Sequence, residues 1–276
     1  MVSFPNAKIN LGLHITARRN DGFHEIDTVF YPVGWIDALE IVKTGNDWQV
    51  NNFPITMKGA GFSEDITSNL CYKAYSLLQQ HFALPAMECF LQKTIPSGAG
   101  LGGGSSDAAA TLQMINELAG LKLSEEKLRE FAAMLGSDCP FFILNKPMQA
   151  TGRGTTFKPV QLSLNGYYIV IVMPPFTMST KEAYSLINPT IPEIPIESLI
   201  MLPVAQWKYV LKNDFEEKVF EKFPALKLMK EQLYINNAVY ASMSGSGTAL
   251  FGIFEKAIDL KTVFEDCKVR SGKAQF

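Results

Sequence analysis

Pro96-Ser-Gly-Ala-Gly-Leu-Gly-Gly-Gly-Ser-Ser-Asp107 is the stretch on which the reading of this chain turns. Five glycines fall within the seven residues from Gly98 to Gly104, and a backbone without Cβ atoms can approach a ligand closely. Upstream, Met87 to Lys93 has the pattern of a strand. Downstream, Ser106 to Leu118 carries Ala109, Leu112, Ile115 and Leu118 at helical spacing, with Gly120 as the stop. A glycine run that opens into a helix N-terminus is an anion site, because free amides and the helix dipole both attract negative charge. Ser105 and Ser106 can cap that helix or offer hydroxyls to a phosphate or its magnesium. A flexible Gly-Ser linker would not sit between a strand and an alanine-rich helix.

The loop is of neither common kind. A Walker loop needs Gly-Lys-Ser/Thr, and no lysine occurs between Lys93 and Lys122. Gly98-x-Gly100-x-x-Gly103 fits the dinucleotide fingerprint literally, but that fingerprint needs a following strand with an acidic residue about 20 positions beyond the loop. Two consecutive helices follow instead, the second from Glu125 to Leu135 behind Ser124 as N-cap.

Before the loop, Ala7, Ile9, Leu11, Leu13 and Ile15 alternate with Lys8, Asn10, Gly12 and His14, the period of a half-buried strand. Lys8, Asn10 and His14 then share one face, which by itself reads equally well as a solvated hairpin face. Asp21-Gly22 marks a tight turn and Ile26 to Val33 the returning strand. Ser68 to Phe82 has helical spacing, with Asn69 near its start. After the loop, Asp138 sits in a short turn before Cys139-Pro140. Tyr167 to Met173 reads as a buried strand, Ser242 to Phe254 as a second Gly-Ser turn with a strand, and Ala257 to Cys267 as a last helix. Glycines and prolines beyond Asn145 suggest two domains, residues 1–155 and 156–276.

The 276 residues are 47% hydrophobic and 19% charged, enough for a sizeable core. A net charge of −2 argues against a nucleic-acid binder. Four widely spaced cysteines without a Cys-x-x-Cys pair argue against zinc and disulfides. The longest apolar run, Tyr167 to Phe176, falls short of the roughly 20 residues needed to span a bilayer, and Met1 to Ile15 has no signal-type core. A cytoplasmic protein with no membrane partner is expected.

Three segments together resemble the GHMP kinase superfamily: Pro5-Asn-Ala-Lys-Ile-Asn10, the glycine loop, and Ser242-Met-Ser-Gly-Ser-Gly-Thr-Ala249. Arg19-Asn-Asp-Gly-Phe-His-Glu25, Leu135-Gly-Ser-Asp-Cys-Pro-Phe141 and Asn213-Asp-Phe-Glu216 are similar to signatures of one branch of it. That branch acts on an alcohol carrying a cytidine diphosphate group, in the non-mevalonate isoprenoid pathway. The resemblance implies an α+β fold of two domains, the N-terminal one like ribosomal protein S5 domain 2 and the C-terminal one like an α/β plait. It places the active site in the cleft between them.

The residue roles follow from the resemblance alone. Residues 1–155 would bind ATP and carry the catalytic groups, and 156–276 would bind substrate. Lys8 and Asp138 would be catalytic. Asn69, Pro96, Gly98, Ala99, Gly100, Leu101, Gly102, Gly103, Gly104, Ser105 and Ser106 would bind ATP, with Ser105 also a magnesium ligand. Asn10, Phe23, His24 and Tyr184 would hold the substrate, Phe23 standing where the family often has tyrosine. A monomer or weak homodimer is expected. The open alternatives are another alcohol kinase of the superfamily (for homoserine, mevalonate or a sugar), a dinucleotide-dependent oxidoreductase, and a non-enzymatic RNA-binding module.

Overall fold

The computed structural model describes residues 1–44, 53–59 and 65–274. Packing divides the chain into two compact units, each discontinuous in sequence. The first comprises Met1–Ala7, Trp35–Ser97 and Gly102–Asn145; the second comprises Lys8–Gly34, Gly98–Leu101 and Lys146–Phe276. The single boundary expected at 155/156 follows the chain, whereas this division follows contacts.

The first unit is built on a four-stranded sheet in the order Val2–Ser3, Ala38–Lys43, Met87–Lys93, Ile55–Gly59. The last pair is parallel, with Ile55 opposite Cys89, and the others are antiparallel. Met87–Lys93 has the limits expected from its alternation, and it turns Met87, Cys89, Leu91 and Lys93 inward. Four helices pack on one another beside it: Leu70–Gln79, Gly103–Leu118, Glu125–Leu135 and Cys139–Leu144. Asn69 Oδ1 accepts from Cys71 N at 2.8 Å, and Ser124 Oγ from Lys127 N at 3.2 Å, so both helices start where a side chain can satisfy an orphan amide. The third helix has its expected limits. The second begins at Gly103, three residues earlier than its apolar spacing predicts. Glycines carry no periodicity signal, so the first turn was hidden within the loop.

Beneath that first turn lies an ion cluster that periodicity could not reveal. The ammonium of Lys93 bonds Asp37 Oδ2 and, at 2.7 Å, Asp107 Oδ2, and all three residues are buried. Asp37 Oδ1 also accepts from Thr94 N and from Ile95 N, the latter at 2.8 Å, which pins the strand's exit into the glycine loop. Burial raises the Asp107 carboxyl to about 7 against the pull of Lys93. For Lys93, burial pulls the ammonium down, but the two carboxylates outweigh it and raise it above its ordinary value.

The second unit holds two four-stranded sheets. One has the order Asn6–Arg18, His24–Ile36, Met148–Gly152, Thr156–Pro159, its strands belonging to this unit from Lys8 and up to Gly34. The other is fully antiparallel, Tyr240–Met243, Leu250–Phe254, Tyr168–Met173, Lys268–Lys273. Leu13, Ile15, Val170, Val172, Phe215, Val219, Leu226 and Leu250 share one apolar core. Two expectations are corrected. The first strand is buried on both faces from Asn6 to Ile15, not half-buried: Lys8 is 3%, Asn10 2% and His14 8% exposed. The helix expected over Ala257 to Cys267 is a series of turns leading into the edge strand Lys268–Lys273. Leu260 and Phe264, four apart as on a helix face, cover the core from those turns.

Removing the cation from the Asp37–Lys93–Asp107 cluster leaves two buried carboxylates uncompensated. Lys93→Met is expected to lower the unfolding free energy by about 3–5 kcal/mol. Urea titration followed by circular dichroism measures it.

Candidate functional site

In the second unit the front of the glycine loop is clamped against the Gly-Ser turn. Ser244 Oγ donates to Gly100 O at 2.9 Å, and Ala249 N donates to Ala99 O at 3.2 Å. Gly100 has φ +76°, and a Cβ there would lie 2.0 Å from the carbonyl oxygen of Ser244. No other residue fits. By contrast, a Cβ on Gly98 would meet nothing within 4 Å, although its φ is +70°. Asn213 holds the turn from behind, its Nδ2 donating to the carbonyls of Met243 and Gly245, both at 2.8 Å. Glu216 accepts from Met243 N at 2.8 Å and pairs with Lys230 at 2.6 Å. Asn213-Asp-Phe-Glu216, noted in the sequence as a signature, therefore works as a fastener.

The first strand runs past this clamp. Lys8 N donates to Leu101 O at 2.9 Å, tying strand to loop. Lys8 Nζ donates to Asn10 Oδ1 at 2.7 Å and sits 4.7 Å from the centre of the Phe30 ring. Asn10 Nδ2 in turn donates to Thr28 Oγ1 at 3.0 Å, and Thr28 donates on to Gly12 O. A buried ammonium is costly unless its donors are used, and this relay begins to satisfy them. Farther along, Asp214 grips the same strand through His14 Nδ1 at 3.1 Å and Ile15 N at 2.8 Å.

In the first unit the loop's remaining residues form the start of the Gly103–Leu118 helix. Gly102 is its N-cap in the left-handed region, with no side-chain cap. A Cβ on Gly103 would lie 2.7 Å from Ile95 Cγ2, so close helix–strand packing accounts for that glycine. Burial raises the Cys139 thiol to about 12, so it is an inert thiol. Asp138 occupies the N-cap position of Cys139–Leu144, is half-buried, and makes no side-chain cap. Pro96 is buried, and the Asn69 side chain is engaged in capping, with its Nδ2 against Met57 Sδ.

An aromatic group forms at the Phe23 turn of the second unit. Phe23 is 48% exposed. The guanidinium carbon of Arg153 lies 3.5 Å from its ring centre. His24 stacks on Tyr184 with ring centres 4.7 Å apart, and Tyr184 meets Phe215 edge-on at 4.9 Å. Burial, then the nearby charge of Arg18, lowers the His24 pKa, so the ring is neutral at neutral pH. Among the described residues its Nε2 is buried without a hydrogen-bond partner. The structure thus brings together Lys8, Asn10 and Gly98–Leu101 in one place, and His24 and Tyr184 in another. Thr28 was missed as a support because an isolated Thr carries no local signal, and the motifs that hold Asn213 and Ser244 did not reveal what those side chains fasten.

A glycine loop opening a helix, a second glycine turn clamped to it and a buried Lys–Asn pair on the neighbouring strand together define a class of phosphotransferase. The chain belongs to the GHMP kinase family: the GHMP kinases N terminal domain matches residues 69–146, and the GHMP kinases C terminal domain matches residues 201–268. It is 50% identical over 92% of each chain to the 4-diphosphocytidyl-2-C-methyl-D-erythritol kinase of Bacteroides fragilis. To the enzyme of the same name from Parabacteroides distasonis it is 44% identical over 99% of each. A crystal structure of 4-(cytidine 5'-diphospho)-2C-methyl-D-erythritol kinase superposes with a TM-score of 0.77 at 32% identity, covering 91% of this chain and 89% of that one. Mevalonate kinase shares the fold with a TM-score of 0.71 at 12% identity, covering 98% of both. The two-domain GHMP kinase fold expected from the sequence is borne out. Among the described residues no helix is long and apolar enough to cross a membrane.

The two glycines at the front of the loop make a controlled pair. Gly98→Ala is expected to cost only the left-handed backbone strain, about 1–2 kcal/mol. Gly100→Ala adds a collision with backbone that cannot turn away, and urea denaturation is expected to read at least about 2 kcal/mol more than for Gly98→Ala.

Proposed function

We propose that this chain transfers the γ-phosphoryl group of ATP to the 2-hydroxyl of 4-diphosphocytidyl-2-C-methyl-D-erythritol. The observation that carries the reading is the clamp of Gly98–Leu101 on the Ser244 turn beside Lys8 and Asn10, in a chain half identical to a kinase of that name. Phosphoryl transfer asks little covalent chemistry of the protein; positioning and charge neutralisation supply most of the catalysis.

In this reading the loop amides from Gly98 to Ser106 cradle the ATP phosphates, and the dipole of the Gly103–Leu118 helix favours their charge. Pro96 and Asn69 border the nucleotide. Lys8 neutralises the transferred group and holds the acceptor hydroxyl, with Asn10 setting its direction. Asp138 accepts the hydroxyl proton. Phe23 and His24 take the cytosine, the unpartnered Nε2 of a neutral His24 being suited to a base edge, and Tyr184 fixes the plane of that imidazole. The ATP-binding and catalytic groups all fall within residues 1–155, and Tyr184 comes from 156–276.

Magnesium would supply further neutralisation of the phosphate oxygens. Among the described residues no group of three or more His, Cys, Asp or Glu side chains could hold a metal. That fits an ion carried in on the nucleotide, since magnesium keeps several waters and takes few protein ligands. The Ser105 hydroxyl is the protein oxygen assigned to it.

The test is a coupled ADP-release assay with Mg-ATP, offering the cytidylyl compound, homoserine, mevalonate and galactose in turn. Turnover is expected with the cytidylyl compound alone; turnover confined to another alcohol overturns the substrate assignment. In the same assay Asp138→Asn is expected to lose about 10²–10⁴ in kcat with its KM for ATP within about twofold of wild type. Retained turnover would remove Asp138 from the proton-transfer role.

A further inference from the structure

Three arginines surround the Phe23 turn, and two of them are committed. Arg18 donates to the carbonyl oxygen of Ile187 at 3.2 Å. Arg19 pairs with Asp21 at 3.0 Å and also with Glu25. Among the described residues the third, Arg153, makes no hydrogen bond or ion pair; it lies on the ring of Phe23, and its charge also reaches Asp21. A guanidinium carbon 3.5 Å from a ring centre is at face-to-face contact distance. A tilted guanidinium would drive a nitrogen into the ring.

Backbone register puts Arg153 there. Strand Met148–Gly152 pairs with the strand that begins at His24, Ile26 lying opposite Gly152. The chain then turns through Gly152 and Gly154, at φ +67° and +84°, and returns as Thr156–Pro159. Packing restricts Gly154, where a Cβ would come within 3.2 Å of Ile26 Cδ1. An arginine at the tip of this turn has solvent all around it, yet its side chain lies on Phe23.

Stacking occupies the faces of a guanidinium and leaves its five N–H donors directed outward in its plane. The stack therefore holds a positive fork against a half-exposed aromatic ring, and the next residue in the chain, His24, carries an unpartnered imidazole nitrogen. An aromatic ring suits a base, the imidazole suits its edge, and an in-plane fork of donors suits the oxygens of a phosphate.

We propose that Arg153 is a substrate-binding residue that grips the diphosphate of the nucleoside-diphosphate substrate while it remains stacked on Phe23, an inference that rests on the cytidylyl reading above. It makes the site select a charged cytidine diphosphate over neutral cytidine, which Phe23 and His24 alone do not distinguish.

The test titrates cytidine and CDP separately into wild type, Arg153→Ala and Arg153→Lys by calorimetry, at low and at moderate salt, and compares KM for the cytidylyl substrate and for ATP. Arg153→Ala is expected to weaken CDP by about tenfold to a hundredfold, with cytidine within about twofold and KM for ATP unchanged. KM for the cytidylyl substrate rises in parallel. Arg153→Lys recovers part of the CDP affinity, since an ammonium keeps the charge but not the fork. Added salt weakens CDP less in Arg153→Ala than in wild type. Equal weakening of cytidine and CDP would reduce Arg153 to a prop for Phe23 and overturn the proposal, as would unaltered CDP binding in Arg153→Ala. Wild type that binds neither compound would overturn this inference and the cytidylyl reading together.

Discussion

Two glycine turns press together backbone to backbone, and much else in the second unit exists to hold that contact. Gly100 approaches the carbonyl of Ser244 so closely that a methyl group cannot fit between them. Contact at that distance is possible only if both partners are fixed from outside, because a turn alone has too few internal contacts to resist thermal motion. Asn213 and Glu216 fix the Ser244 turn through its carbonyls and amide, and Asp214 grips the first strand in the same four-residue segment. That strand returns the support, since Lys8 N bonds Leu101 O at the end of the loop's front half.

The same economy governs the buried charges. Lys8 and Lys93 are both at least nine-tenths buried, and each has its charge answered differently. Lys93 is met by two carboxylates and serves the loop from below, as structure. Lys8 has an amide oxygen and an aromatic face among its neighbours.

The parts legible in the sequence were those whose signal is local. Strand Met87–Lys93 and helix Glu125–Leu135 have the limits that periodicity and capping predict, and Ser124 caps as expected. The glycine loop, Lys8, Asn10, Phe23 and His24 stood out through motif. Illegible were groups joined only by folding. Asp37 and Lys93 are 56 residues apart, and Asp107 follows 14 later. His24 meets Tyr184 across 160 residues, and no pattern in either segment announces the stack. The failed helix at Ala257 to Cys267 has the converse cause: Leu260 and Phe264 imitate a helix face while covering a core from turns.

By itself, then, the sequence determined the elements whose signals are local, and the family. Side-chain alternation, caps and the absence of Cβ atoms over Gly98 to Gly104 act over a few residues, and their physics needs no knowledge of the rest of the chain. Only the tertiary structure decided which polar groups are spent on the fold and which remain for a ligand. Lys93 is spent on the fold, held by two buried carboxylates beneath the first turn of the Gly103–Leu118 helix. Arg153 is an ordinary surface arginine in sequence, and a strand register places it on Phe23. Hydrogen bonds and ion pairs depend on distances of a few ångströms between residues far apart in the chain, and folding alone sets those distances.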